Sequence, residues 1–170
     1  MAFLLFISAL FSTQAAETSN LEIVMTQAVL MGQKEVSAYV YKTKTREPKT
    51  SYNYKFYCLL KNISKAEITV ATKSLNPSII YAKEGETPMA TLSIDKASYK
   101  GSQIIPSLTD LGLVTLHPGE SAGISWEKSS FTQLQSVKVQ YNPKDIFDNR
   151  FGYWTGRVTG ESVEVTVPKK

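Results

Sequence analysis

The fold class is decided by a two-residue period in the stretch Tyr52-Asn53-Tyr54-Lys55-Phe56-Tyr57-Cys58-Leu59-Leu60. Successive side chains of a β-strand point to opposite faces, so Tyr54, Phe56, Cys58 and Leu60 share one face. That face is apolar, and the pattern predicts a strand with one buried side and with Cys58 as a small buried hydrophobe. An intermolecular disulfide through this thiol is the alternative.

The same period recurs along the rest of the chain, with turn signals between the segments. It predicts further strands at residues 21–26, 35–42, 67–72, 78–81, 89–94, 113–116, 121–126, 135–141, 151–158 and 162–167. Residues 43–51 read as a polar loop, 61–65 as a hairpin turn and 159–161 as a second turn, whereas 95–110 fit either a loop or a short helix. Short strands with this punctuation predict an all-β chain, built as one immunoglobulin-like antiparallel β-sandwich of about eight or nine strands.

The N-terminus predicts export. Residues 2–11 read AFLLFISALF, a run too short for a bilayer span of ~20 residues but typical of a secretory signal peptide. Small residues follow, and cleavage after Ala15 gives a signal peptide of residues 1–15 and a sandwich domain of residues 16–170. No Lys or Arg precedes the run, which departs from the usual pattern, and a buried N-terminal strand or helix is the alternative. We expect a periplasmic or secreted protein without a membrane anchor.

Composition removes several kinds of catalytic site. The 170 residues include one Cys and one His, too few for a zinc site of the common Cys and His types. His117 would be the base of any Ser or Cys nucleophile, and it stands in a Pro-Gly turn, where an exposed histidine is the simpler interpretation. We therefore predict a non-enzymatic protein with no cofactor.

Acidic residues occur in polar stretches with lysine neighbours, which is typical of a surface. Examples are the pairs Glu84 and Glu86, and Asp145 and Asp148. The stretch 142–149 is rich in oxygen ligands for Ca²⁺ but lacks EF-hand spacing, so no metal site is predicted and calcium remains the alternative.

The formal net charge is +4, and the densest basic cluster is Lys42, Lys44, Arg46 and Lys49, interrupted by Glu47. A solvated loop is the simpler interpretation and an anionic partner is the alternative. Nucleic acid is not expected as a partner, because an exported chain without a recognisable motif gives no basis for it.

The segment from Asp148 to Arg157 has the most distinctive composition, with three aromatic residues, two arginines and two glycines. Aromatic and Arg side chains dominate the energetics of protein interfaces. On a strand, Trp154 would point away from Phe151 and Tyr153, so one face would enter the core and the other could contact a partner. The predicted binding residues are Arg150, Phe151, Tyr153, Trp154 and Arg157.

Two short stretches, residues 56–64 with an Asn-x-Ser turn and residues 116–121 with a Leu-His-Pro-Gly-Glu turn, resemble exported bacterial immunoglobulin-like domains. The resemblance implies a fold and no particular activity.

The function predicted from these features is binding of another protein in the cell envelope, as an inhibitor, an immunity protein or an accessory subunit. An exposed edge strand or apolar patch would favour it. A glycan- or peptidoglycan-binding module is the alternative, and would place Trp126, Tyr153 and Trp154 along one groove. An enzyme would need His117 within reach of a Ser or a carboxylate, and a subunit completed by a donated strand is a further alternative.

Overall fold

The computed structural model describes residues 20–73, 75–80, 86–94, 111–143 and 152–168. The predicted all-β class is confirmed, with strand as the dominant structure. The strands formed by these residues are β1 (Leu21–Val40), β2 (Thr45–Asn62), β3 (Ile68–Ala71), β4 (Leu75–Ile80), β5 (Met89–Ile94), β6 (Leu113–Leu116), β7 (Ser121–Ser130), β8 (Ser136–Tyr141) and β9 (Val158–Thr166). The described residues contain no helix that is long and apolar enough to cross a membrane.

The strands form a seven-stranded sheet in the order β4-β5-β8-β9-β1-β2-β7 and a two-stranded sheet of β3 and β6. The prediction of a purely antiparallel arrangement is wrong. β1 runs parallel to β9, and β5 runs parallel to β8. Parallel neighbours need a long crossover connection, and both pairs join strands that are far apart in sequence. A sequence pattern of period two carries no signal for such pairings.

The first two strands are longer than the sequence predicts. The predicted strands 21–26 and 35–42 are one strand that ends at Val40, because register shifts between Met25 and Gln27 and between Leu30 and Gly32 interrupt the alternation without ending the pairing with β2. A β-bulge of this kind changes which residues face the core, so that Ala28, and not Gln27, is the next buried residue after Met25. The predicted loop 43–51 is also wrong, since the turn occupies only residues 41–44.

The β1–β2 hairpin continues past its neighbours. The last pairings are Val29 with Thr166 on β9 and Tyr52 with Ser130 on β7. Residues 34–51, which we call the arm, are therefore a two-stranded ribbon roughly 25 Å long, paired from Lys34↔Ser51 to Val40↔Thr45. No residue from 31 to 50 is buried. Pro48 is tolerated because no further strand needs its missing N–H.

The prediction of two strands at 151–158 and 162–167 is also wrong. Val158–Thr166 is a single strand, and residues 152–157 lead into it without strand pairing. The sequence predicts a turn at Gly160, but this residue lies within β9, close to β1. A Cβ at this position would lie 2.5 Å from the carbonyl oxygen of Ile23, so the glycine permits a close approach of two backbones.

The predicted inward faces of β2 and β8 are confirmed. Tyr54, Phe56, Cys58 and Leu60 are buried, as are Val137, Val139 and Tyr141 of β8. Two tyrosine hydroxyls link the core to backbone elsewhere. Tyr54 accepts a hydrogen bond from the N–H of Leu134 (2.8 Å), and Tyr141 donates to the carbonyl of Ala71 (2.9 Å) and accepts from its N–H (3.0 Å).

Asn62 organises the predicted turn after β2. Its side-chain N–H groups donate to the carbonyls of Ala66 (2.7 Å) and Leu116 (2.9 Å), and its Oδ1 accepts from the N–H and hydroxyl of Ser64. The side chain is fully buried and its hydrogen bonds are satisfied. The predicted hairpin turn would return the next strand along β2. That strand, β3, instead pairs with β6 in the second sheet.

Candidate functional site

The predicted aromatic segment is more tightly packed than its composition indicates. Tyr153 is 2% exposed and belongs to a small buried cluster with Ala71, Ile94 and Leu111. Trp154 is half-buried, and Arg157 is exposed. Arg150 and Phe151 lie outside the described residues. The structure therefore brings Tyr153 into the core and separates it from the exposed Arg157.

The Trp154 ring has two close neighbours. The ring stacks on Tyr141 with centroids 5.8 Å apart and planes 16° apart. The backbone at Gly156 also lies against the ring, since a Cβ there would be 2.5 Å from the indole. The backbone N–H of Trp154 also donates to the carbonyl of Thr69 (2.7 Å). These contacts leave part of the ring and the Arg157 side chain available to a partner.

The three rings considered for a glycan groove are packed separately. Trp126 stacks on Phe56 at 5.2 Å, and its Nε1 is buried without a hydrogen-bond partner. Trp154 stacks on Tyr141, and Tyr153 is buried. No observation aligns these rings along one exposed surface, so nothing in this geometry favours a glycan over a protein.

His117 does meet a carboxylate. Its Nδ1 lies 2.8 Å from Glu67 Oε1, and its backbone N–H donates to Glu120 (2.8 Å). The His117 and Glu67 side chains are both about 60% exposed. A carboxylate-oriented imidazole is two thirds of a catalytic triad, but a triad also needs a nucleophile. None of the hydrogen bonds in the described part of the chain joins His117 to a hydroxyl or thiol.

The described residues contain no group of three His, Cys, Asp or Glu side chains that could hold a metal ion. Asp145 and Asp148, which carry the calcium alternative, lie outside those residues. Burial raises the pKa of the Cys58 thiol to about 12, which suppresses the nucleophilic thiolate.

The clearest candidate for a binding site is the outer edge of β7. Between Ser121 and Ser129 this strand pairs with β2 on one side, and with no other strand of the described chain on its second side. In an antiparallel pair, alternate residues direct their N–H and C=O groups away from the neighbouring strand. This edge therefore presents a row of backbone donors and acceptors.

The β7 edge carries few of the usual protections. Proteins block such edges with Pro, bulges or charged side chains, and the charged residues of β7 are Glu127 and Lys128, next to each other near its C-terminal end. β7 pairs with β2 without a register shift and contains no Pro. Its outward side chains are mostly small: Ser121, Gly123, Ser125, Glu127 and Ser129. β4, at the opposite end of the same sheet, carries Pro77 and comes near β7 without pairing with it.

Sequence reasoning did not identify this edge. The strand itself was predicted at 121–126, and its small outward residues are visible in the sequence. Its position at the end of the sheet depends on which strands pair, and that information is spread over the whole chain.

Comparison of the chain with protein-family models, curated proteins and solved structures finds no match. The functional conclusion therefore depends on the geometry of the chain itself.

Proposed function

We propose that this chain is an exported, non-enzymatic protein that binds another protein of the cell envelope by adding a strand of that partner to β7. The carrying observation is that no strand of the described chain pairs with the outer edge of β7 from Ser121 to Ser129. Strand addition is an established mode of peptide recognition, in which main-chain hydrogen bonds supply affinity. Inhibitor, immunity and accessory-subunit roles all fit this mode.

The side chains of β7 define the partner segment further. The exposed Ser and Gly residues on the outward face leave room for side chains of a neighbouring strand. Glu127 is the one acidic residue of the strand, and its contact with Lys55 is 3.7 Å long with Glu127 71% exposed. Such a pair contributes little. A partner segment with a basic residue opposite Glu127 would fit this edge best.

Export and the sandwich architecture belong to the same proposal. The short apolar run before Ala15 supports a cleaved signal peptide, and a mature N-terminus at Ala16 would identify it. An immunoglobulin-like sandwich is supported by the larger buried cluster, to which both sheets contribute: Val70 of β3 and Leu116 of β6 pack among residues of β1, β2, β5, β7 and β8. Without a hydroxyl or thiol beside His117 in the described chain, no observation favours hydrolytic activity.

Site-specific photocrosslinking in the producing cells tests the function. We expect a photoreactive residue at Ser125 to give one discrete adduct with another protein. The same residue at Val24, on the outward face of β1, should not give it. An adduct at both positions, or at neither, would overturn the proposal. So would a Ser125 adduct made only of two copies of this chain.

A further inference from the structure

A second feature, independent of β7, is the concentration of positive charge on the arm. The arm carries five basic and two acidic side chains, a net charge of +3 out of +4 for the whole chain. Three of the five basic residues, Lys42, Lys44 and Arg46, lie in the turn or within two residues of it, and Lys49 lies further along β2. The ion pairs formed between described residues, Lys55–Glu127 and His117–Glu67, involve no cation of the arm.

The tip of the arm also exposes two aromatic rings. Tyr41 is 87% exposed and Tyr39 is 49% exposed. Their rings meet edge to face, with centroids 5.1 Å apart and planes at 89°. Neither ring belongs to the core, so the fold of the body gives no reason for their exposure.

The turn between the two strands is well defined. The N–H of Lys44 donates to the carbonyl of Val40 (2.8 Å), and the hydroxyls of Thr43 and Thr45 are 2.7 Å apart. Lys44 has a φ of 57°, a left-handed conformation that a non-glycine residue adopts at a cost. The turn thus holds Tyr41 and Lys42 at the far end of the ribbon.

We infer that the tip of the arm docks on the surface of an anionic phospholipid bilayer. Basic groups are attracted by the negative surface potential of such a bilayer over about a Debye length. Tyr side chains are favoured at the headgroup level, where the ring is partly desolvated and the hydroxyl stays hydrated. The tip offers both kinds of group on one projection.

An acidic protein surface is a weaker fit. A stable protein interface takes about 20–30 residues from each side, whereas the exposed aromatic and basic tip spans residues 39–46. A bilayer surface is continuous, so the tip needs no complementary shape to bind it. The negative surface potential of the bilayer also attracts the basic groups before contact. A second copy of the arm is disfavoured because each carries a net charge of +3.

Sedimentation with lipid vesicles tests the inference. The mature chain should bind vesicles of three parts phosphatidylcholine to one part phosphatidylglycerol, but not vesicles of phosphatidylcholine alone. Lys42→Glu combined with Lys44→Glu should weaken binding more than about tenfold, since four units of charge change at the tip. Tyr41→Ser should weaken it by a smaller factor without changing its salt dependence.

The matched control is Lys61→Glu combined with Lys65→Glu, which makes the same change in net charge. Lys61 is exposed near the opposite end of β2, and Lys65 lies in the turn that follows. This control should reduce binding much less than the tip variant. The tip variant should fold normally because it replaces no buried residue, which its melting temperature will verify.

Three results would overturn the inference: equal binding to neutral vesicles, equal losses in the tip and control variants, or tip-dependent binding of polyglutamate without vesicle binding. The last result would assign the arm to an acidic polypeptide. The vesicle assay does not involve the β7 edge, so its outcome is independent of the Ser125 crosslinking result.

Discussion

At the scale of single residues, buried polar groups determine how chain segments are joined, which the alternation of apolar and polar residues does not specify. Asn62 ends β2 and links it to two other chain segments through Ala66 and Leu116. The sequence predicted a turn here from the tendency of Asn and Ser to bond their own backbone. It did not predict the bond to Leu116, because that partner is 54 positions away.

Asn62→Ala should lower the free energy of unfolding by about 3 kcal/mol, because it leaves the buried Leu116 carbonyl and part-buried groups of the turn without the bonds that Asn62 makes. Asn53→Ala is the control on the same strand, where the amide accepts one exposed bond from Ser129. We expect it to cost less than about 1 kcal/mol. Urea denaturation measures both, and equal losses would contradict the assigned role of Asn62.

Because the Cys58 thiol is buried, we expect the free energy of unfolding to depend on pH in the alkaline range. Burial raises the pKa of its thiol from 9.0 to about 12, so the folded state keeps a proton that the unfolded chain loses. The stabilisation is complete below pH 9 and is lost as the pH rises toward 12, at about 1.4 kcal/mol per pH unit. Burial also raises the pKa of Tyr141, which adds to the loss.

Cys58→Ala removes the thiol and its share of the alkaline loss, although the smaller side chain lowers the starting stability. Wild type and variant should therefore converge in free energy of unfolding between about pH 8 and about pH 11. Denaturation curves at both pH values give the comparison. Parallel losses would show that Cys58 does not titrate differently in the folded state.

At the scale of elements, the alternation located most strands but misplaced their ends and partners. The sequence predicts two strands in place of β1 because the bulges of β1 change which residues face the core. It predicts a turn at Gly160 of β9 because a glycine in a strand resembles a turn. Edge positions and parallel pairs could not be predicted, since they depend on contacts between distant segments. The candidate site at β7 was missed for this reason.

Gly160→Ala tests the contact between β9 and β1. The added Cβ would lie 2.5 Å from the Ile23 backbone, which must shift, and we expect a loss of about 1–3 kcal/mol. Gly123→Ala is the matched change in strand β7, where the nearest atom is a Leu59 methyl at 3.9 Å. Its melting temperature should stay near that of wild type. A Gly160→Ala variant as stable as Gly123→Ala would place β9 away from β1.

Trp154→Ala separates packing from binding in the predicted aromatic segment. Because the ring lies against Tyr141 and Gly156, we expect a loss of stability of about 3 kcal/mol and unchanged affinity per folded molecule. Arg157→Ala changes an exposed side chain and should alter stability by less than about 0.5 kcal/mol. Unchanged stability with weaker partner binding in Trp154→Ala would instead place this indole in the interface.

At the scale of the whole molecule, our proposals assign stability and recognition to different parts. Buried aromatic rings of β2 and β8 pack in the core, whereas the β7 edge has no strand partner in the described chain and the arm carries basic groups outside the ion pairs formed there. The arm is a two-stranded ribbon, which is marginally stable by itself in water. We therefore expect its amides to exchange with solvent faster than those of the body.

The central claim is strand addition at β7, and the affinity of the crosslinked partner tests it most directly. Gly123→Lys combined with Ser125→Lys places two charges on the β7 edge, a device that discourages strand pairing. Val24→Lys combined with Thr26→Lys adds the same charge to the outward face of β1, away from that edge. The account predicts that the β7 variant binds the purified partner at least about tenfold more weakly than wild type, which is ~1.4 kcal/mol, while the β1 variant binds as wild type does. Equal affinities for the two variants, with both folded, would contradict it.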